Sequence, residues 1–223
     1  MFSKNEMQDY WDSRFLREGY IWSEKPSESA KYANRLFNKY EISDLLILGI
    51  GYGRNSLPFL ESGYNVSGIE ISEAAIELMK KTDLSNKIKI FNGSIIDMPF
   101  EDIKYDAIFS FNVFHLFNRK DRQTVIDKCK SQLKPNGLIF FTVISELESG
   151  YGDGIKIEEN TFEKKGKPVH FFTDEDLKQY FSKFEIIESD LIDEPEQHGK
   201  EGKHIHKCRY ILALNTSCYT PSD

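Results

Sequence analysis

The stretch "LILGIGYGRNS", residues 46–56, constrains the chain more than any other segment. Four apolar residues (45–48) run into glycines at 49, 51 and 53, and Arg54-Asn55 follows. "DLLILGI" reads as a short strand buried on both faces, as a parallel sheet requires. Glycines placed directly behind such a strand let the backbone turn sharply and approach a ligand.

The segments that follow repeat the pattern of strand and helix. "YNVSGIE", "KIKIFNG", "YDAIFSF" and "LIFFTVI" read as further strands. A helix is expected from Asn55, another behind the cap Ser72 to about Lys81, and a third over about 119–133. The last of these should end at the turn Pro135-Asn136-Gly137. Two helices precede the glycine turn, over about 5–18 and 27–40, with Met7, Trp11 and Phe15 stepping by four along the first. Such alternation implies right-handed crossovers and a parallel sheet covered on both sides. The ending departs from it. After Thr173 and the helix "DEDLKQYF", two strands, "FEIIESDLI" and "HIHKCRYILAL", are joined by a charged loop alone and should pair antiparallel. The expectation is one domain over 1–214, a helical lid (1–40) on an α/β core (44–214), with 215–223 as a flexible tail.

A net charge of −7 argues against a surface that tracks phosphates, so no nucleic acid is expected. No apolar run reaches membrane-spanning length, and no membrane contact is expected. Cys129, Cys208 and Cys218 form neither a CxxC pair nor a disulfide framework, which fits a reducing cytoplasm. The chain should work as a monomer or homodimer on a small-molecule substrate.

Three ligand classes bind at glycine turns of this kind. A nucleoside triphosphate loop needs Gly-Lys-Ser/Thr, and Gly53-Arg54-Asn55 has no lysine. A dinucleotide fingerprint, G-x-G-x-x-G, needs its third glycine where Arg54 stands, so a nicotinamide-dependent oxidoreductase is only an alternative. Glu70 ends the second strand 19 residues after Gly51, where a carboxylate can accept hydrogen bonds from the ribose of any adenosine-containing cofactor.

At this point the chain resembles a family. "LILGIGYGRNS", the strand ending in Glu70, "MPFEDIKYDAIFSFNVFHLF" and "LKPNGLIFFTV", in that order, are similar to a class I S-adenosylmethionine-dependent methyltransferase. "YWDSRF", "YIWSEKPS", "GRNS", "FHLFNRKDR" and "HFFTDEDLKQYF" resemble the tellurite-resistance-protein-like small-molecule members. The resemblance implies a Rossmann-like methyltransferase sandwich: a mostly parallel seven-stranded sheet with a C-terminal antiparallel strand and helices on both faces. It places S-adenosylmethionine over Gly49, Gly51, Gly53 and Asn55, with Glu70 on the ribose and Ile71 against the adenine. The adenine amine commonly meets an aspartate; here Ser94 stands in that position, so Ser94 and Ile95 frame the ring or Asp97 reaches it. Trp11 and Arg14 would cover the cofactor, and Asn112 would lie beside the reactive methyl. A side chain at any of the three glycines would occupy the ligand's space.

The implied reaction is direct displacement at an activated methyl. Alignment contributes about 7–11 kcal/mol and a general base about 10²–10⁴-fold, so alignment contributes more. Thiol or metalloid acceptors need no strong base. For others His115 is the first candidate, with an ordinary pKa near 6.5. Trp22, His115, His170, His198, His204 and His206 are assigned to the acceptor pocket. His204 and His206 share one strand face and could ligate zinc with His198 or Glu196, but no metal is expected. The glycine-rich segment 146–168 reads as a loop on the substrate side. A non-catalytic cofactor-binding protein is the remaining alternative.

Overall fold

The computed structural model describes residues 3–164, 166–198 and 202–216. Ten strands and six α-helices follow one another among these described residues. The first helix, α1 (Lys4–Glu18), starts at Ser3, whose hydroxyl accepts from the Glu6 N–H while Glu6 accepts from Ser3 in return. Helix α2 (Glu28–Phe37) is capped by Ser27 and buries Ala30, Ala33, Leu36 and Phe37. Strand β1 (Asp44–Leu48) then delivers the glycine turn, a 3-10 turn at Arg54–Ser56 and α3 (Leu57–Glu61).

Strand β2 (Asn65–Glu70) leads through the Ser72 cap into α4 (Glu73–Lys80), followed by β3 (Ile88–Asn92) and β4 (Tyr105–Phe111). Helix α5 (Arg119–Gln132), capped by Asn118, runs directly into β5 (Leu133–Ile144). Helix α6 (Asp174–Tyr180) has the expected Thr173 cap, and β9 (Glu185–Gln197) and β10 (Lys203–Leu214) close the chain.

These strands form a seven-stranded sheet in the order β3-β2-β1-β4-β5-β10-β9. β1 to β5 are mutually parallel, and β10 runs antiparallel to both β5 and β9. The sequence signal for this arrangement is the absence of a polar face. Leu45 and Ile47 point into one layer with Phe37, Phe59, Phe109 and Phe140, under α2 and α3. Leu46 and Leu48 point into the other with Ile108, Phe141, Phe172 and Phe181, under α5 and α6. Both faces are therefore dry, as helices on either side of a parallel sheet demand.

Three expectations change. The segment 146–168 is not a plain loop: β6 (Ile155–Glu158), β7 (Thr161–Lys164) and β8 (Lys167–His170) build a second antiparallel sheet. Asn160, with φ of 53°, makes the turn between the first two strands. Pro135-Asn136-Gly137 lies within the span of β5 and is not a separate turn. Asn215 explains this, because its N–H donates to Gly137 O (2.9 Å) and its carbonyl accepts from Asn136 N (2.8 Å). Asn215 is thus buried and anchored, not the first residue of a tail; 217–223 lie outside the described residues. No helix among the described residues is long and apolar enough to cross a membrane.

Phe140 is fully buried between the rings of Phe37, Phe109 and Tyr210, at 6.5, 5.9 and 5.4 Å. Phe140→Ala is expected to destabilise the fold by about 3–5 kcal/mol, from lost transfer energy and the cavity left behind. Urea unfolding followed by far-ultraviolet circular dichroism measures it, and a loss below about 1 kcal/mol would refute this packing of the core.

Candidate active site

The glycine turn, the ends of β2 and β4, and the start of α4 meet at the carboxyl edge of the sheet, where open α/β sheets bind ligands. Gly49, Gly51 and Gly53 all hold positive φ, at 63°, 59° and 91°. Their neighbours differ from the expectation. A Cβ at Gly49 would strike Val113 Cγ2 at 2.4 Å, and one at Gly53 would press Leu84 Cδ1 at 3.0 Å. Those two glycines serve chain packing. Of the three, only Gly51 has no side chain packed tightly against its Cβ position, with Phe15 Cζ of α1 nearest at 4.0 Å.

Glu70 is buried, and both its carboxylate oxygens hold the turn. Oε2 accepts from Gly51 N at 2.7 Å and Oε1 from Ser72 N at 2.9 Å. Burial pushes this carboxyl above the usual range, against the lowering effect of the N–H donors, and the nearby Asp12 charge adds to the rise. Asp12 belongs to α1, yet its Oδ1 accepts from Ser72 Oγ (2.7 Å) and Ala74 N (3.0 Å) at the start of α4. The N-terminal helix is thereby fastened across the cleft, and Trp11, Phe15, Ile21, Trp22 and Tyr52 pack together beneath it.

Tyr52 within the turn, and Arg54 and Asn55 directly after it, do the anchoring. The Tyr52 hydroxyl donates to Ser23 O (2.5 Å) and accepts from Trp22 N (3.1 Å); burial pushes its pKa up to about 12. Arg54 donates to Trp22 O (2.8 Å) and Lys25 O (3.3 Å), and pairs with Glu196 Oε1 of β9 at 2.5 Å. Asn55, expected at the cofactor, instead accepts from Ser27 N (2.9 Å) and positions the cap of α2. Tyr52 and Phe15 are neighbours of the site that the sequence did not assign to it, and Glu196 was weighed there only as a zinc ligand. Arg54 registered there only as a missing glycine.

Other predicted residues divide. Ser94 is buried with its hydroxyl accepting from Ile96 N (3.3 Å), and Ile95 packs into the layer under α5. Asp97 is paired with Lys4 at the surface rather than directed at the cleft. Ile71 is half-buried beside Glu70. Asn112 directly follows β4 in the left-handed region (φ 51°), where its Nδ2 lies 3.7 Å from Cys208 Sγ. The Arg14 guanidinium lies 5.6 Å from the Trp11 ring and 5.1 Å from the Trp22 ring, and its Nε is 3.4 Å from Glu18.

A single 3-10 turn after β4, Phe114–Leu116, buries His115, and its Nδ1 has no hydrogen-bond partner among the described residues. Burial holds its pKa well below the ordinary histidine value, so the ring is neutral. His170 departs from the acceptor-pocket assignment: it is buried, bridging Thr161 Oγ1 (2.7 Å) and the Asp176 carboxylate. His198, His204 and His206 converge, with Nε2 atoms 3.0–3.1 Å apart.

Comparison with known proteins fits this geometry. A family model described as a methyltransferase domain matches residues 46–141, from β1 through the glycine turn and Glu70 into β5. The matched span, residues 46–141, carries the class I S-adenosylmethionine-dependent methyltransferase domain. The chain is 26% identical over 196 residues to the tRNA N(3)-methylcytidine methyltransferase Mettl2 of Drosophila melanogaster, covering 81% of this chain and 60% of that protein. It is 29% identical over 142 residues to the ubiquinone biosynthesis O-methyltransferase of Rickettsia akari, covering 63% and 54%. The chain thus spans little more than half the length of either relative. In fold it is similar to an S-adenosylmethionine-dependent methyltransferase from Anabaena variabilis, with a TM-score of 0.72, 16% identity and 96% and 95% of the two chains covered. It is likewise similar to TehB from Haemophilus influenzae, at 0.63 and 20%, covering 82% and 61%.

Two features of this site are open to direct measurement. Arg54→Ala strands the Glu196 carboxylate in a buried site and should cost about 3–5 kcal/mol of stability; a denaturation midpoint near that of the parent would refute the pairing. The second concerns pH. His115 and His170 are held below 6.5 by burial, so both contribute stability that is fully present above pH 6.5 and is lost as pH falls toward their folded values. The loss approaches about 1.4 kcal/mol per pH unit for each histidine while only the unfolded chain is protonated. His115→Phe should remove one share of that slope, read from urea midpoints between about pH 7.5 and 5.5.

Proposed function

We propose that this chain transfers a methyl group from S-adenosylmethionine to a small-molecule acceptor. The observation that carries the reading is the pairing of the left-handed Gly51 with the buried Glu70 carboxylate at the carboxyl edge of the sheet. Gly51 supports the reading, because alone of the three glycines it has no side chain packed closely against its Cβ position; Phe15 Cζ is nearest, at 4.0 Å. When bound, S-adenosylmethionine supplies a methyl group already activated on a cationic sulfur.

The protein's own residues then bind and orient. The Glu70 carboxylate offers about four acceptor sites, one more than its backbone donors at Gly51, Ser72 and Ile71 use, and the remainder suits a ribose hydroxyl. Ser94, Ile95 and Ile71 supply the adenine side, and Trp11 with Arg14 supplies an aromatic and cationic cover. His115 is buried with its Nδ1 unpartnered, so it would meet an acceptor only if the segment Phe114–Leu116 shifts on binding. Its depressed pKa makes it a weak base, which supports acceptors that are nucleophilic without one, thiols and metalloid oxyanions among them. The net charge of −7 argues against a tRNA acceptor, the substrate class in the name of the Drosophila relative.

Calorimetric titration with S-adenosylmethionine, S-adenosylhomocysteine and NAD tests the cofactor, followed by methyl-transfer assays on thiols, metalloid oxyanions, small amines and tRNA. Gly51→Asp and Glu70→Ala are each expected to lower S-adenosylmethionine affinity by at least about tenfold (1.4 kcal/mol) in a folded protein. Unchanged affinity in both would sink the site assignment, binding without turnover would favour a non-catalytic protein, and preference for NAD would revive an oxidoreductase.

A further inference from the structure

We propose that His198, His204 and His206 form a divalent transition-metal site of the zinc class beside the cofactor cleft. Their three Nε2 atoms make a nearly equilateral triangle with sides of 3.1, 3.1 and 3.0 Å. A metal placed at the usual zinc–imidazole distance of about 2.0–2.1 Å from each nitrogen would sit about 1 Å above that triangle. The nitrogens would then subtend angles of about 95°, a three-ligand cap with at least one coordination position open. Such a triad is typical of reactive zinc sites, whereas structural ones are closed by a fourth protein ligand.

The ring nitrogens on the far side decide the tautomers. His204 Nδ1 lies 3.0 Å from Gly202 O, and His206 Nδ1 lies 3.2 Å from Glu148 Oε1. Neither oxygen can donate, so both Nδ1 atoms carry hydrogen, and the ring nitrogen left to take a metal on each is the inward Nε2. Lone pairs facing one another at 3.0 Å repel, and a cation between them converts repulsion into ligation. A carboxylate and a carbonyl fixing the outer nitrogens is the support that metal-bound histidines ordinarily have. Glu148 is itself fixed by Lys207 N at 2.6 Å. Glu196 Oε2 lies 3.8 Å from His198 Nε2 and adds negative charge near the cation.

The fold makes the triangle from two strands. His204 and His206 share one face of β10, and the register sets His204 against Glu196 and His206 against Glu194, which brings the end of β9 and His198 alongside. Ser145 N donates to Lys207 O at 3.0 Å, which sets this part of the hairpin at the carboxyl end of β5. The His198 ring lies 6.3 Å from Trp22, whose own ring adjoins Arg14 and Trp11. A metal here lies on the acceptor side of the cleft. Its open position suits an anionic oxygen or sulfur of the acceptor, a role that rests on the methyl-transfer reading; metal binding itself does not.

The test uses the full chain stripped with a chelator. Zn²⁺ is titrated in competition with a chromogenic chelator, Co²⁺ is added separately to read its visible bands, and S-adenosylhomocysteine affinity and thermal midpoint are measured in parallel. The expected result is one Zn²⁺ per chain and Co²⁺ bands of low coordination number. His206→Ala should weaken Zn²⁺ binding by more than about 100-fold, and Glu148→Gln by about 10–100-fold. A folded parent that binds S-adenosylhomocysteine but takes up no equivalent of Zn²⁺ would overturn the site, as would parental affinity in both His204→Ala and His206→Ala. Should those variants fail to fold, parental stoichiometry and the Co²⁺ bands decide the matter. Zn²⁺ uptake without S-adenosylhomocysteine binding would keep the metal site and remove the methyl-transfer reading.

Discussion

The buried pair between Arg54 and Glu196 joins residues 142 positions apart and holds three parts of the molecule in one place. Arg54 stands in the glycine turn, Glu196 near the end of β9, and the remaining guanidinium donors reach carbonyls of the segment linking the first two helices. Withdrawing both charges from water costs several kcal/mol, which short charge-assisted bonds and the faces of Trp22 and Phe111 offset. An apolar pair of similar volume could contribute as much stability, but it would not fix the direction from which each segment arrives. The glycines thus give the backbone its path, and Tyr52 and Arg54 tie that path to the N-terminal segment.

The central sheet was readable from the sequence because burial on both faces leaves an unmistakable mark. Leu45 to Leu48 show no polar alternation, and the structure sends successive residues into opposite dry layers. The reversed final strand was readable for a different reason, since a loop alone cannot carry the chain back to a parallel neighbour. The small second sheet left no such mark. Ile155 and Ile157 are 70% and 47% exposed, so β6 has no buried face whose period could be seen among its charges. Asn215 was hidden likewise, because its burial depends on two backbone bonds to a segment far away in sequence.

Within the site, the type of residue was more legible than its task. Positive φ at all three glycines follows from their positions, but which of them has a side chain packed tightly against it depends on Val113, Leu84 and Phe15. Asn55 and His170 sit in the right region and spend their hydrogen bonds on the scaffold. Spacing put His204 and His206 on one strand face; only the register between β9 and β10 brings His198 to them. Long-range register is set by packing of the whole sheet, and no local pattern encodes it.

The Asp12 contact makes the N-terminal helix part of the apparatus it covers. One oxygen of this side chain satisfies an N–H in the first turn of α4, and the same carboxylate raises the cost of charge on Glu70. Moving α1 away would therefore leave that N–H without its partner and, at the same time, make Glu70 a better acceptor. Helix position and occupancy of the Glu70 cradle are then two ends of one thermodynamic cycle: whatever factor the docked helix applies to ligand affinity, the ligand must return in full to the docking equilibrium of the helix.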